Sequence, residues 1–401
     1  MDATGMIRKR ITLIIWFIVM TLVYLIFLRV NNLPYGLSTN IQESWLNFNF
    51  PSSNWRSYGP SIFLLPFIKL PFSMFLATTF YWNVGLITYY KLVAENLNGK
   101  WNQIALWSLP FNTYLLWSMK AQQETVLEWA FIGLTLLAMS RKRIFLFSIF
   151  ALCLSLTRPA NILVVLFILI VFESKLRKKI LLPSLLVSWL LVNQIVYSSV
   201  SPALQAGQTA AFGWNKAYVM TLPLTDIDVT FSENDILDTK IIDSKNADKS
   251  RNSIYLKDAI NSFTEDIPRS IAIVTSKIDS WIFTAQRVPN LHGAFSINKE
   301  GTVLTARDNS FTYSNSIGSL VFLLWRGFFL SLWFASLVLF ALNWRRGFQE
   351  RLRLLIFIPI VGLPAAIIAT PETRYQIAHM AFLLPVVLIT IKDYAVTKTI
   401  S

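Results

Sequence analysis

The stretch FSMFLATTFYWNVGLITYYKL, Phe72–Leu92, decides how the rest of the chain is read. Its only charge is Lys91, at the far end, and no proline or acid interrupts it. A helix crossing the hydrocarbon of a bilayer needs about 20 mostly apolar residues, and this segment has that length and character. The pattern recurs at Ile11–Leu28, Gln103–Met119, Thr125–Met139, Ile144–Thr157, Ala160–Phe172 and Ile180–Val200. It returns late in the chain at Ile317–Leu342, Leu354–Ala369 and Tyr375–Ile391. The expected fold is an all-α polytopic membrane protein of about ten transmembrane helices. Ile11–Leu28 resembles the apolar core of a signal peptide, but no small-residue cleavage site follows it, so it reads as an uncleaved first helix.

Composition agrees. Of 401 residues, 54% are hydrophobic and 14% charged, against about 25% charged in an ordinary soluble domain. With a mean hydropathy of +0.50, lipid is the expected solvent for much of this surface. The 14 Trp and 30 Phe suit membrane interfaces and their flanks. Net charge is +14, but the excess sits in short loops between apolar runs, which is topology-setting charge; nucleic acid is not an expected partner. The lone cysteine, Cys153, excludes an intrachain disulfide and any Cys-rich metal site, and its apolar surroundings read as a buried small hydrophobe.

The basic residues give an orientation. With a cytoplasmic N-terminus, the inside loops hold 18 Lys and Arg, including Arg8–Arg10, Lys91, Lys100, Arg141–Arg143, Lys175, Arg177–Lys179, Arg345, Arg346, Arg351, Arg353, Lys392 and Lys398. The short outside loops hold six: Arg29, Arg56, Lys69, Lys120, Arg158 and Arg374. Positive charge stays inside, so both termini are expected in the cytoplasm. Three regions follow: an N-terminal membrane part, 1–200, with a first outside loop at 30–70; an outside insert, 201–314; and C-terminal membrane helices, 315–401. The insert carries 11 basic and 13 acidic residues and turn-formers throughout. Within it, Ile254–Phe263 and Arg269–Phe283 read as amphipathic helices broken near Pro268, in a mixed extracytoplasmic unit. The tail of the first outside loop, Gly59–Pro71, is apolar but interrupted by prolines, which suits an interfacial or re-entrant helix.

No internal repeat, Gly-rich phosphate loop or nucleotide fingerprint occurs, and no metal or other cofactor is expected. The two histidines, His292 and His379, read as hydrogen-bonded structural or surface residues rather than ligands. The candidate chemistry lies on the outside. Glu43 and Arg56 fall in the first loop, Lys120 and Glu124 between spans three and four, Arg158 between five and six, and Glu372 and Arg374 between nine and ten. Arg and Lys at a membrane surface can hold the phosphate of a lipid-linked donor, Arg with a two-pronged fork. A nearby carboxylate can accept the proton of an acceptor hydroxyl as a sugar is transferred. Glu43 is the only acid of the first outside loop. Arg326, inside the eighth span, should face protein or water, or else snorkel at the outer interface.

The layout resembles the GT-C superfamily of membrane glycosyltransferases, including its protein mannosyltransferase-like and aminoarabinose transferase-like enzymes. The stretches that carry the resemblance are Tyr58-Gly59-Pro60-Ser61-Ile62-Phe63, similar to the family's Tyr-Pro-Pro-Leu step, and Gln122-Gln123-Glu124-Thr125. Two more are Leu156-Thr157-Arg158-Pro159 and Pro371-Glu372-Thr373-Arg374-Tyr375, the latter followed by Pro385. The insert's Leu256–Ile260, Asp266-Ile267-Pro268 and Lys277-Ile278-Asp279-Ser280-Trp281 are similar to the family's Ala, Pro, Lys and Trp pattern.

The resemblance implies a polyprenyl-phosphate-linked sugar as donor and an extracytoplasmic glycan, lipid or protein as acceptor; the expected compartment is a bacterial inner membrane. It implies Glu43 as catalytic base, with Arg158, Arg374 and Lys120 on the donor phosphate and Arg56, Glu124, Glu372 and Tyr375 in support. The absence of any Asn-x-Ser/Thr acceptor site fits that compartment. One departure stands out. Where the family places an Asp after the first helix, this chain has Asn31, Asn32 and Asn40, with Glu43 farther on. Two other readings stay open: a lipid or glycan transporter or flippase, and a non-catalytic scaffold in a glycan-assembly complex.

Overall fold

The computed structural model describes residues 11–23, 59–111, 115, 125–141, 143–157, 252–279 and 381–400. It also describes shorter pieces at 161, 183–184, 187–188, 190–191, 214, 296–297, 303–304, 327–328, 331–339, 341–342 and 367. These residues form a helical protein. Residues 11–23 are helical; among the described residues the short helix α1, Gly59–Leu64, comes next and passes into a 3-10 turn at Leu65–Phe67. Pro66 lies in that turn, where a missing N–H ends regular helix, as the prolines of this stretch led one to expect. Phe72, with φ 58°, redirects the chain through a left-handed conformation uncommon outside glycine.

Helix α2 follows, Ser73–Asn96, then α3, Gly99–Ser108, α4, Thr125–Ser140, and α5, Ile144–Thr157. In the insert lie α6, Asn252–Glu265, and α7, Ile267–Asp279, and a two-residue antiparallel pairing of Ser296–Ile297 with Val303–Leu304. The last helix is α8, Leu383–Ile400.

The core is built around α4. Every residue of this helix except Leu134 and Ser140 is buried, so it packs on all sides. Its main neighbour is α2. The Trp129 indole lies against Gly85 and tilts over Trp82 at 6.1 Å and Tyr89 at 5.7 Å. One turn on, Gly133 lies against Thr88, and beyond the end of α4 Arg141 reaches Glu95. Contacts advance in the same sense along both helices, so α2 and α4 run parallel. A Cβ on Gly85 would overlap the Trp129 ring and one on Gly133 would overlap the Thr88 hydroxyl, which is why glycine stands at both positions. Helix α8 joins them in the same direction: Phe382, just ahead of it, meets Trp129 at 4.7 Å and Tyr89 at 5.6 Å, and Lys392 donates to Asn96 O at 2.8 Å. These are the helices that charge parity assigns to spans two, four and ten, all expected to share one direction.

Polar side chains in this core close onto backbone. Tyr89 Oη donates to Ala105 O and Trp16 Nε1 to Leu106 O, both at 2.8 Å, with the Trp16 and Tyr89 rings stacked at 6.4 Å. Tyr81 Oη donates to Phe63 O at 2.9 Å and holds α1 onto α2, where Phe63 meets Phe131 at 4.5 Å.

Boundaries differ from the hydropathy reading where polarity and helicity part company. α2 runs four residues past Leu92 to Asn96, whose amide bonds back to Leu92 O at 2.7 Å, because a helix continues wherever its backbone is satisfied. α3 begins at Gly99 rather than 103 and tightens to a 3-10 turn, Leu109–Phe111, at Pro110. The expected helix over 375–391 has a turn at 381–382, and α8 then carries Pro385 in its first turn, where its missing N–H costs nothing. The insert's helical pair breaks at Asp266. Its Oδ1 accepts the Arg269 N–H at 3.1 Å as a cap, with Pro268 inside the first turn of α7.

Among the described residues, no helix is long and apolar enough to cross a membrane. α4 and α5, at 16 and 14 residues, fall short of the roughly 20 required, and the 24-residue α2 has the length but carries Thr78, Thr79, Asn83, Thr88, Lys91 and Glu95. Most of the stretches expected as spans six, seven and nine lie outside the described residues.

Candidate functional site

Two buried polar groups stand out against this apolar background. The first is Glu128, in the opening turn of α4 and 1% exposed. The helix N-terminus favours an acid there. Asn161 meets it from the far side of the α5 end: Asn161 Nδ2 donates to Glu128 Oε1 at 2.7 Å, to Thr157 Oγ1 at 3.1 Å and to Leu154 O at 3.3 Å. Thr157 Oγ1 in turn donates to Leu154 O at 2.6 Å. The amide's two hydrogens thus serve three oxygens, and Asn161 and Thr157 are as buried as the carboxyl.

The second is Lys277, near the end of α7 and 0% exposed. Its Nζ donates to Ile367 O at 2.8 Å, and the ammonium lies 4.4 Å from the centre of the Trp214 ring. Trp214 packs edge-on against Phe263 of α6 at 5.2 Å. The carbonyl and the ring face both favour the charged form, but burial dominates and pushes the Lys277 pKa down to about 7. α7 buries Ser270, Ile273 and Lys277 on one face and exposes Ile271 and Thr275 on the other, with Ser270 Oγ bonded to Phe263 O at 2.7 Å to lock the pair.

A third polar group is of another kind. Arg141 forks onto Glu95, with Nε to Oε2 at 3.2 Å, while both side chains remain more than a third exposed. The Glu95 hydrogen bond raises the Arg141 pKa.

The residues expected from sequence to carry chemistry, Glu43, Arg56, Lys120, Glu124, Arg158, Glu372, Arg374 and Tyr375, lie outside the described residues, as do Arg326, His292 and His379. Their described neighbours are informative. Glu128, four residues after Glu124, and Asn161 with Thr157, which flank Arg158 in sequence, come together in space. Lys277 of the insert meets the backbone at 367, four residues ahead of Pro371. Sequence reasoning missed Glu128. The signal was present, since it is the one acid inside the apolar run Thr125–Met139, and an ionisable residue there is a functional candidate on cost alone. Lys277 was visible as part of a pattern, but without a role. Cys153 is partly buried within α5, as a small apolar residue would be. Set against models of known protein families, curated proteins and solved structures, the chain matches none of them.

Proposed function

We propose that this chain is a polytopic membrane glycosyltransferase of GT-C-like layout, moving a sugar from a polyprenyl-phosphate donor to an acceptor outside the cytoplasmic membrane. The surface supports the membrane part. Ile14, Ile15, Ile18 and Leu22 in the first helical segment, Phe75, Leu76, Phe80 and Ile87 on α2, and Phe334 and Val338 later are large apolar side chains left exposed by the packing around α4. A surface of that kind calls for an apolar neighbour, and lipid supplies it. The shared direction of α2, α4 and α8 supports the parity from which both termini are assigned to the cytoplasm.

The observation that carries the site is the Lys277 bond to Ile367 O. It links the insert's late helix, across 90 residues, to the chain just ahead of Pro371-Glu372-Thr373-Arg374-Tyr375. In this reading Arg374, Arg158 and Lys120 hold the donor phosphate. The acceptor hydroxyl oxygen attacks the sugar's anomeric carbon as the carbon–oxygen bond to phosphate breaks. Its proton passes to Glu43, and polyprenyl phosphate departs with inversion at the sugar carbon. Arg56, Glu124, Glu372 and Tyr375 support these groups.

The test is release of polyprenyl phosphate from a panel of polyprenyl-phosphate-linked sugars by protein in lipid nanodiscs. Glu43→Gln should slow release by about 10²–10⁴-fold with polyprenyl phosphate binding intact. Arg374→Lys, which keeps the charge but loses the fork, should weaken both. Normal release by Glu43→Gln removes Glu43 from the mechanism. A second reading, transport of a lipid or glycan, is favoured by Glu128, a carboxyl buried inside an expected span. Translocation of the lipid between leaflets without sugar release would select it.

A further inference from the structure

We propose that the end of the bundle where α2 and α4 finish is a binding surface for anionic phospholipids. The proposal rests on the reading of this chain as a membrane protein with that end cytoplasmic. The local chain is gathered there by Arg141 on Glu95, by Lys392 on Asn96 O, and by Asn102 Nδ2, which donates to Leu97 O at 3.4 Å. Around these ties Lys91, Lys100 and Arg143 stand exposed. Among the described side chains at this end Glu95 is the one acid, and Arg141 already covers it. The excess charge is positive and suits a phosphate.

Charge alone would suit any anion; what lies beside each cation is more selective. On α2, Lys91 follows the exposed Ile87 by one turn, and Phe80 is exposed two turns farther back. On α3, Lys100 heads a stripe with Ile104 and Trp107, both exposed. Arg143 directly precedes α5, where Phe145, 74% exposed, and Ile149 lie one turn apart. α2 runs toward this end. α3 and α5 run away from it, since Tyr89 of α2 meets Ala105 of α3, and Asn161 beyond α5 meets Glu128 at the start of α4. Each stripe therefore carries its cation at the same end, with its apolar side chains leading back along the bundle. An acidic protein or a nucleic acid would answer the charge and leave the stripes uncovered. A phospholipid answers both, with a phosphate for the cation and acyl chains for the apolar side chains behind it.

The experiment compares spin-labelled phosphatidylglycerol with spin-labelled phosphatidylcholine at the surface of the full chain in phosphatidylcholine bilayers. At low salt phosphatidylglycerol should associate at least about three-fold more strongly, and about 1 M salt should remove most of that preference. Lys91→Gln, Lys100→Gln and Arg143→Gln together should cut the preference at least about two-fold. Glu95→Gln with Arg141→Gln removes a cation that is already paired and should leave the preference unchanged. Equal association of the two lipids with the unmodified protein overturns the proposal, and so does a preference that survives the triple variant. Displacement of the labelled lipid by glycerol phosphate at constant ionic strength would assign the cations to a free phosphate instead. Binding of polyglutamate by a protein without lipid preference would assign them to an acidic protein partner. If neither lipid is motionally restricted by the protein, the membrane reading beneath the proposal falls.

Discussion

The two ends of α4 are both tied by a carboxylate, in opposite ways. At its start Glu128 is sealed from solvent and met by an amide; just past its finish Arg141 meets Glu95 with both partners in the open. The attraction between opposite charges is greater than that between a carboxylate and an amide, yet the exposed pair is the weaker tie. Water solvates both of its partners when they separate, and salt screens them. The buried pair has no such alternative, so removing one member takes a buried hydrogen bond from the other. Burial, and not formal charge, decides which end is specified. Between the ends runs a seam of glycine against indole and hydroxyl, Gly85 on Trp129 and Gly133 on Thr88, that tolerates no added atom.

The largest effect is therefore expected in the seam. Gly85→Ala places a methyl group inside the Trp129 ring position and must force the two helices apart, at about 1–3 kcal/mol or more. Thermal unfolding of the purified protein should show a clear fall in midpoint, and an unchanged midpoint would mean that α2 and α4 do not approach this closely. Next comes the buried end. Asn161→Ala leaves the Glu128 oxygen without its amide, and should cost about 1–3 kcal/mol in denaturant unfolding, equally at low and high salt. A loss that shrinks as salt rises would show that water reaches Glu128 and would erase the contrast. The smallest effect belongs to the exposed end. Arg141→Ala should cost about 0–1 kcal/mol, and that cost should fall toward nothing in about 1 M salt, where the screening length is about 3 Å. A larger, salt-independent loss would place Arg141 among the buried anchors instead.

Local features of the chain are legible in its sequence. α5 occupies Ile144–Thr157, the stretch that hydropathy marks, and α4 extends the expected Thr125–Met139 by one residue. Asp266 and Pro268 announced the break between α6 and α7. Signals of this kind act within a turn or two of helix, through a missing N–H, a capping oxygen or a run of apolar side chains. Polar ends were read less well: α2 runs on to Asn96 because its backbone hydrogen bonds continue past the point where its side chains stop being apolar.

Tertiary structure alone chose the partners. Asn161 and Glu128 lie 33 residues apart and Lys277 and Ile367 lie 90 apart, and neither pairing leaves a trace in local composition. The charge pattern assigned a common direction to the second, fourth and tenth expected spans, but only packing set Phe382 against Trp129 and Tyr89 and made those three helices neighbours. The physical reason is that helicity and hydropathy are sums over nearby residues, whereas a buried carboxyl or ammonium is satisfied by whichever distant group the fold delivers to it. Local sequence sets where helices form and which residues are costly to bury; the fold settles what each of those residues meets.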